Sequence, residues 1–428
     1  MFKTIAEAFK VKDIRKKILI TLLLLFIYRI GCWIPCVGFS TSIVDTSGSS
    51  FGFFELMNMV SGGALSNCSI LALGVSPYIT ASIVIQLLTV AIPALERAAK
   101  SGEDGRRKIN LYTRIAALVL ALAQAIGIVV AYSGNLDQNL GGFPTWLIGA
   151  GVVITLVAGA MFTVWIGERI TDLGIGNGTS LLIFVGILSS AGQSLFTAIE
   201  LTIADTNYIW YILIFIVAVI AIFALIVFID GGERRVNVQY AKQIKGRRMY
   251  GGQSNYIPIK VNATGVMPII FANALLTFPQ LIISIFWPDV TWYSDWLGTN
   301  SWLYIVLTAV LILLFAFFYS KITFDPNDIS KRIQQQGGFI PGIRAGKPTA
   351  DYLGKISGRI TLFGAIFLAV IALVPSLAFK AIGDATTASV LINAFSTTGL
   401  MIVVSVALEL EKQLSAQMFM RNHKGFLN

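Results

Sequence analysis

The sequence predicts an all-α membrane protein: ten transmembrane helices in two inverted five-helix halves, with a re-entrant, pore-filling segment between the first two spans. Three observations carry that expectation. Hydrophobic residues make up 56% of the 428, charged residues 13%, and the mean hydropathy is +0.77, well beyond a soluble domain. Apolar runs of about 20 residues, the length needed to cross a bilayer, recur along the chain. Residues 55–93 (ELMNMVSGGALSNCSILALGVSPYITASIVIQLLTVAIP) form a 39-residue apolar stretch, too long for one span and broken by Gly62-Gly63.

Taken in order, residues 1–17 place Phe2, Ile5, Ala6, Phe9 and Ile14 at helical spacing with Lys3, Lys10 and Lys12 between them. That pattern suits an amphipathic arm on the cytoplasmic membrane surface. No small-residue cleavage site follows, so the apolar run from Ile18 reads as a retained span. Spans are expected at 18–35, 70–92, 114–133, 145–166, 179–199, 208–229, 264–287, 302–320, 360–379 and 388–408, the seventh containing Pro268 and Pro279. Residues 55–65 make only a short helix of roughly 16 Å. Backbone of that kind persists at membrane depth where it packs in protein or lines a cavity, so a re-entrant piece is expected there, ahead of a full second span.

Basic residues set the orientation. With the N-terminus in the cytoplasm, 30 of the 32 Lys and Arg fall in the arm, the loops at 94–114, 167–178, 230–263 and 321–359, and the tail 409–428. Only Arg29, towards the outer half of span one, and Lys380 remain. Both termini are therefore expected in the cytoplasm. Ten spans divide at the short connection 200–207 into halves 18–199 and 208–408. Five is odd, so the halves run in opposite directions, and the working site of such a pair lies between them.

Two inner loops exceed simple connectors. In 230–263, Val236, Val238 and Tyr240 alternate with polar residues ahead of a turn near Gly246, which reads as a basic hairpin. In 321–359, Asp325-Pro326 reads as a helix N-cap with Pro at the first helical position, ending by Gly337-Gly338. A Gly/Pro-rich tip then carries Arg344 and Lys347, with Phe339, Ile340 and Ile343 as exposed apolar groups. Both loops suit docking of a large acidic partner or anionic lipid.

Catalytic and metal patterns are missing. The single histidine, His423, rules out HExxH or a His-based triad, and Gly174–Gly178 lacks the strand and GK[ST] of a phosphate loop, leaving a flexible turn. Cys32, Cys36 and Cys68 have no metal-ligand spacing and are odd in number. No enzyme activity, metal or cofactor is expected. Polar residues inside the spans are neutral (Thr80, Gln86, Gln124, Asn273, Gln280), whereas an ion-coupled transporter ordinarily buries ionisable groups. Interhelical hydrogen bonds of about 0.6–2 kcal/mol account for several of them. An inverted-repeat secondary transporter nevertheless stays as the alternative function.

Longer blocks carry a resemblance. MNMVSGGALSNCSILALGVSPYITASIVIQLL from 57, GRRKINLYTR from 105, IGERITDLGIGNGTSLLIF from 166, ERRVNVQYAKQIKGRRMY from 233, KVNATGVMPIIFA from 260 and GGFIPGIRAGKPTADYL from 337 resemble the SecY family of bacterial protein-conducting channels, in order and over essentially the whole chain.

The resemblance implies a two-half clamshell around an hourglass pore in the plasma membrane. Its constriction falls on Val75, Ile79, Thr179, Ile183, Ile270 and Ile402, where Thr179 departs from the aliphatic pattern. A plug at about 55–68, with Met57, Asn58, Met59, Ser61, Gly62, Gly63 and Leu65, fills the outer funnel. Thr80, Gln124 and Asn273 resemble the polar cluster of a lateral gate between spans two/three and seven/eight. Arg247, Arg248, Arg344 and Lys347 would receive the ribosome or the SecA motor ATPase. SecE, and SecG beside it, are the implied membrane partners, and an unfolded preprotein or signal peptide and the membrane lipids meet at the gate. The implied function is passage of unfolded polypeptides with lateral release of apolar segments. The insertion scale, about −0.3 to −0.6 kcal/mol per Leu, Ile, Phe or Val against about +2.5 to +3.5 per Asp, Lys or Arg, was measured with machines of this kind.

Overall fold

A computed structural model describes residues 9, 11–39, 57–58, 60–132, 136, 144–204, 209–240, 243–245, 248–250, 254–262, 264–265, 267–286, 296, 301–382 and 397–424. Met59 and Arg247, both expected site residues, lie outside the described residues.

Among the described residues, ten helices of 16 to 36 residues overlap the ten expected spans. They are α1 (Lys12–Gly31), α2 (Ser76–Ala91), α4 (Glu103–Ala131), α5 (Thr145–Leu173), α6 (Gly178–Ala204), α7 (Ile209–Asp230), α8 (Met267–Phe286), α9 (Trp302–Thr323), α11 (Lys347–Ile382) and α12 (Thr397–Lys424). Short helices α3 (Pro93–Lys100) and α10 (Pro326–Gln335) lie between them. Five helices, α4, α5, α6, α9 and α11, are long and apolar enough to cross a membrane by length and composition alone, and α2 with α3 makes a sixth if that bent pair is one span. Helix α1 carries a charged first turn and Arg29 in its last, and α12 is charged in its C-terminal half.

The first five long helices pack among themselves, as do the last five, and the two groups meet along α6/α12 and α4/α8. Three apolar clusters result. One lies among α4, α5 and residues 57–72; a central one joins α1, α2, α5, α6 and α12; a third joins α7, α8, α9, α11 and α12 with Ile83 of α2.

The second span differs from expectation. Apolarity suggests helix from residue 70, but the helix begins at Ser76 and has 16 residues. Gly74 is left-handed (φ +53°) and Pro77 occupies the first turn, where its missing N–H costs nothing. Residues 62–75 instead run as consecutive turns, so the re-entrant segment extends to the start of α2. At the far end, Pro93 forces Ile92 out of helical geometry (φ −108°, ψ 112°), and α3 leaves at 108° to α2.

Beyond one end of the bundle, the two long loops build one small domain. Strand β1 (Glu233–Tyr240) pairs antiparallel with β4 (Ser254–Lys260) on one side and with β5 (Gly338–Phe339) on the other. Between β1 and β4, β2 (Gln243–Lys245) and β3 (Arg248–Tyr250) form the outer hairpin. The expected alternation holds, since Val236 and Val238 are buried against Ile259, Ile333, Ile340 and Leu353. Asp325 caps α10 by accepting the Asn327 N–H at 2.9 Å, with Pro326 following. Ile340, expected at an exposed tip, is a core residue (4% exposed), Ile343 packs against that core, and Phe339 alone stays exposed. A β-strand pairing with β1 turns the Ile340 segment inward, which a Gly/Pro-rich composition does not reveal.

The turn 174–177 is likewise fixed rather than flexible. Ile175 is buried, its N–H donates to Thr21 Oγ1 (3.1 Å), and Gly178 N–H donates to Thr171 Oγ1 (2.9 Å).

Candidate functional site

The site is built where α2, α6, α8 and α12 converge. Val75 stands at the N-cap of α2 and Ile79 one turn later on the same face. Val75, Ile183 and Ile402 are buried in the central cluster, and Ile79 and Ile270 pack against it. Five of the six expected constriction residues therefore share one apolar contact set. Thr179 stands apart: in the first turn of α6, its Oγ1 lies 3.4 Å from where a Cβ on Gly167 of α5 would stand, and its N–H donates to Asn177 Oδ1. Its side chain thus faces a neighbouring helix.

The segment from Met57 lies directly against this cluster. Val60 and Ala64 belong to it, while Met57 and Leu65 are buried in the cluster on the α4/α5 side. Asn58 organises the turn. Its carbonyl accepts from Gly63 N–H (2.9 Å) and Ser61 Oγ (3.1 Å), and its Oδ1 accepts from Ser66 N–H (3.0 Å) and Ser66 Oγ (3.3 Å). Gly62 and Gly63 have φ of +74° and +84°, the left-handed geometry that ends the helical turn. Glycine also fits the seat, since a Cβ on Gly186 of α6 would run into the Val60 carbonyl oxygen, and one on Gly159 of α5 into that of Ile70. Below the turn, Cys36 N–H donates to Cys68 O (2.7 Å) and Ile70 N–H to Ile34 O (3.0 Å), pinning the segment to the end of α1. All three cysteines are buried free thiols.

From α1, Arg29 Nη1 donates to the Gly62 carbonyl at 2.9 Å. Sequence reading singled out Arg29 only as an exception to the charge count. The residues that seat the segment, Arg29, Val60, Ala64 and Gly186, went unread because close approach and a carbonyl partner leave no periodic signal.

At the seam, α4 touches α8, and Ile83 of α2 packs with Ile269, Phe271 and Ala272 of α8. Gln124 on α4 is buried, and its Oε1 has no hydrogen-bond partner. Thr80 Oγ1 donates to the Ser76 carbonyl within its own helix. Asn273 is half-buried on α8.

Around the small sheet, Arg344 and Lys347 are exposed. Two bonds shape the tip: Thr349 Oγ1 donates to the Arg344 carbonyl (2.8 Å) and Ser330 Oγ to the Gly346 carbonyl (2.7 Å). The Arg344 main chain is thereby tied back towards α10 and α11, while its side chain stays exposed. Arg248 starts strand β3. Lys260, at the end of β4, has its pKa lowered, first by burial and then by the Lys412 ammonium of α12.

With that geometry established, comparison with known proteins decides the family. The SecY family model matches residues 69–410. Protein translocase subunit SecY of Streptomyces scabiei is 42% identical over 443 residues, with 100% of each chain covered. This chain belongs to the SecY family. Its fold is that of solved channels. A protein-conducting channel superposes with TM-score 0.68 at 20% identity, covering 95% of this chain and 93% of the other. A SecY channel whose plug domain stabilises the closed state and maintains a membrane seal gives 0.66 at 19%, with the same coverage. Sec61 in the canine ribosome-channel complex gives 0.65 at 18%, again with 95% and 93% covered. As a SecY family member the protein is a multi-pass protein-translocation channel, and the transporter alternative falls.

Proposed function

We propose that Val75, Ile79, Ile183, Ile270 and Ile402 form the constriction through which an unfolded chain passes, and that residues 57–68 plug it. The supporting observation is the single contact set shared by five aliphatic side chains from α2, α6, α8 and α12 with Val60 and Ala64 of the plug. Such a ring excludes water and ions when closed, by dewetting, and binds no passing sequence tightly. Thr179, which faces α5, is assigned a packing role.

In this reading the α2/α4 and α8/α9 seam is the lateral gate, where Thr80, Gln124 and Asn273 meet a signal peptide or an apolar segment leaving for lipid. The buried, unpartnered Gln124 Oε1 favours parting there, since opening lets water or a client satisfy it. The two five-helix groups are the halves 18–199 and 208–408. In this reading the protein resides in the bacterial plasma membrane, with both termini, the arm 1–17, the loops 230–263 and 321–359 and the tail 409–428 in the cytoplasm, an orientation that the 30-of-32 basic distribution supports. Its small sheet domain, with Arg248, Arg344 and Lys347, docks SecA or the ribosome, as does Arg247 in this reading; a ribosome-bound structural neighbour supports the latter. SecE and SecG complete the membrane complex. The protein itself performs no covalent chemistry and uses its partner's energy.

Proteoliposomes carrying the complex, driven by the motor ATPase on an unfolded preprotein, test this. Arg344→Glu is expected to abolish most translocation and weaken motor binding more than Arg344→Ala, with the gap widening at low salt. Normal transport and affinity for Arg344→Glu would overturn the docking assignment.

A further inference from the structure

We propose that Arg29 is the latch of the plug: its guanidinium, on α1, holds the plug main chain in its seat and lets go on opening. The proposal rests on the plug reading above. Arg29 Nη1 donates to the Gly62 carbonyl at 2.9 Å, across 33 residues of chain. Gly62 follows helical Val60 and Ser61, at a helix end where the last carbonyls lack partners of their own. Cys32, three residues on and so on the same face of α1, directs its Sγ to the neighbouring Ser61 carbonyl at 3.8 Å. Two consecutive plug carbonyls thus receive donors from one helix face. Left-handed Gly62 sits so close that a Cβ there would stand 2.5 Å from Arg29 Nη1.

The choice of partner makes the contact releasable. A charged side chain within a span is costly and marks function. Among the described residues no carboxylate pairs with Arg29; its partner is a neutral carbonyl. In the closed state the guanidinium gains a charge-assisted hydrogen bond in a half-buried site. When the plug leaves and water enters, hydration replaces that bond and the charge is better solvated than before. A carboxylate partner would hold the plug far more strongly against displacement by a client. Because the acceptor is main chain, the latch needs no plug side chain to bind, only a glycine at 62 that lets the guanidinium approach.

The test uses the assembled complex with Cys36 and Cys68 changed to Ser, leaving Cys32 as the reporter. Cys32 is 1% exposed beneath Ser61, so a membrane-impermeant maleimide reads plug departure directly. Arg29→Gln is expected to raise both the Cys32 labelling rate and the resting ion leak by about tenfold, the lower end for a lost hydrogen bond to a charged group. Arg29→Lys, which keeps charge and a donor, should restore much of the closed behaviour. With residues 57–67 deleted, Arg29→Gln should add nothing to the leak. If it adds the same factor there, Arg29 acts elsewhere and the latch is wrong while the plug stands. If the deletion alone leaves the leak unchanged, plug and latch both fail. Unchanged Cys32 labelling in Arg29→Gln would sink the latch by itself.

Discussion

Residues 57–68 and the aliphatic set of Val75, Ile79, Ile183, Ile270 and Ile402 lie against one another, yet different forces hold them. The plug segment is placed by directed contacts: Asn58 accepts four hydrogen bonds, Arg29 grips the Gly62 carbonyl, and Gly186 lets its main chain lie on α6. The aliphatic set has only methyl groups from four helices. Directed contacts return a segment to one position after each displacement. Non-directional ones close around any cross-section and release any sequence. On the proposed reading the two act in series, one resealing reproducibly and the other letting unrelated chains pass.

That contrast can be broken in graded steps. Removing both barriers, by deleting 57–67 in a variant with Ile79, Ile183, Ile270 and Ile402 all changed to Ser, should give the largest resting conductance in planar bilayers. A conductance no greater than either change alone would mean the two are one barrier. Next comes Gly186→Val, whose side chain collides with the Val60 carbonyl and unseats the plug while leaving the ring intact. Its leak should approach that of the plug deletion, and a silent Gly186→Val would move the plug's seat off α6. Asn58→Ala removes only the Oδ1 acceptor for Ser66, leaving the main-chain bonds. It should cost the plug turn about 1–3 kcal/mol and give an intermittent leak. Thr179→Ile should change conductance least, because Thr179 faces Gly167 of α5. A markedly tighter seal in that variant would return Thr179 to the ring.

The same division governs what could be read in advance. The β1/β4 hairpin and the Asp325-Pro326 cap follow from local pattern and stand in the structure, and among the described residues a helix overlaps each expected span. The short helix expected over 55–65 stops at Ser61, because Gly62 and Gly63 are left-handed and end it rather than merely weakening it. The α2 helix starts six residues after the expected residue 70, since residues 70–75 are as apolar as those that follow; only the left-handed Gly74 and Pro77 distinguish them. The Gly/Pro-rich sequence around Ile340 reads as exposed because the strand pairing with β1 that buries it is non-local. The partners of Arg29 and Gly186 are main-chain atoms, and a main-chain acceptor has no signature in the residue that supplies it.

The central claim is that the aliphatic ring is a barrier in its own right, in series with the seated plug. Single-channel recording of the Ile79, Ile183, Ile270 and Ile402 to Ser variant, with 57–67 present and folding verified by circular dichroism and complex assembly, tests it most directly. The account predicts a resting ion leak distinct in size and kinetics from that of the plug deletion; a bilayer as quiet as with the unaltered protein would contradict it.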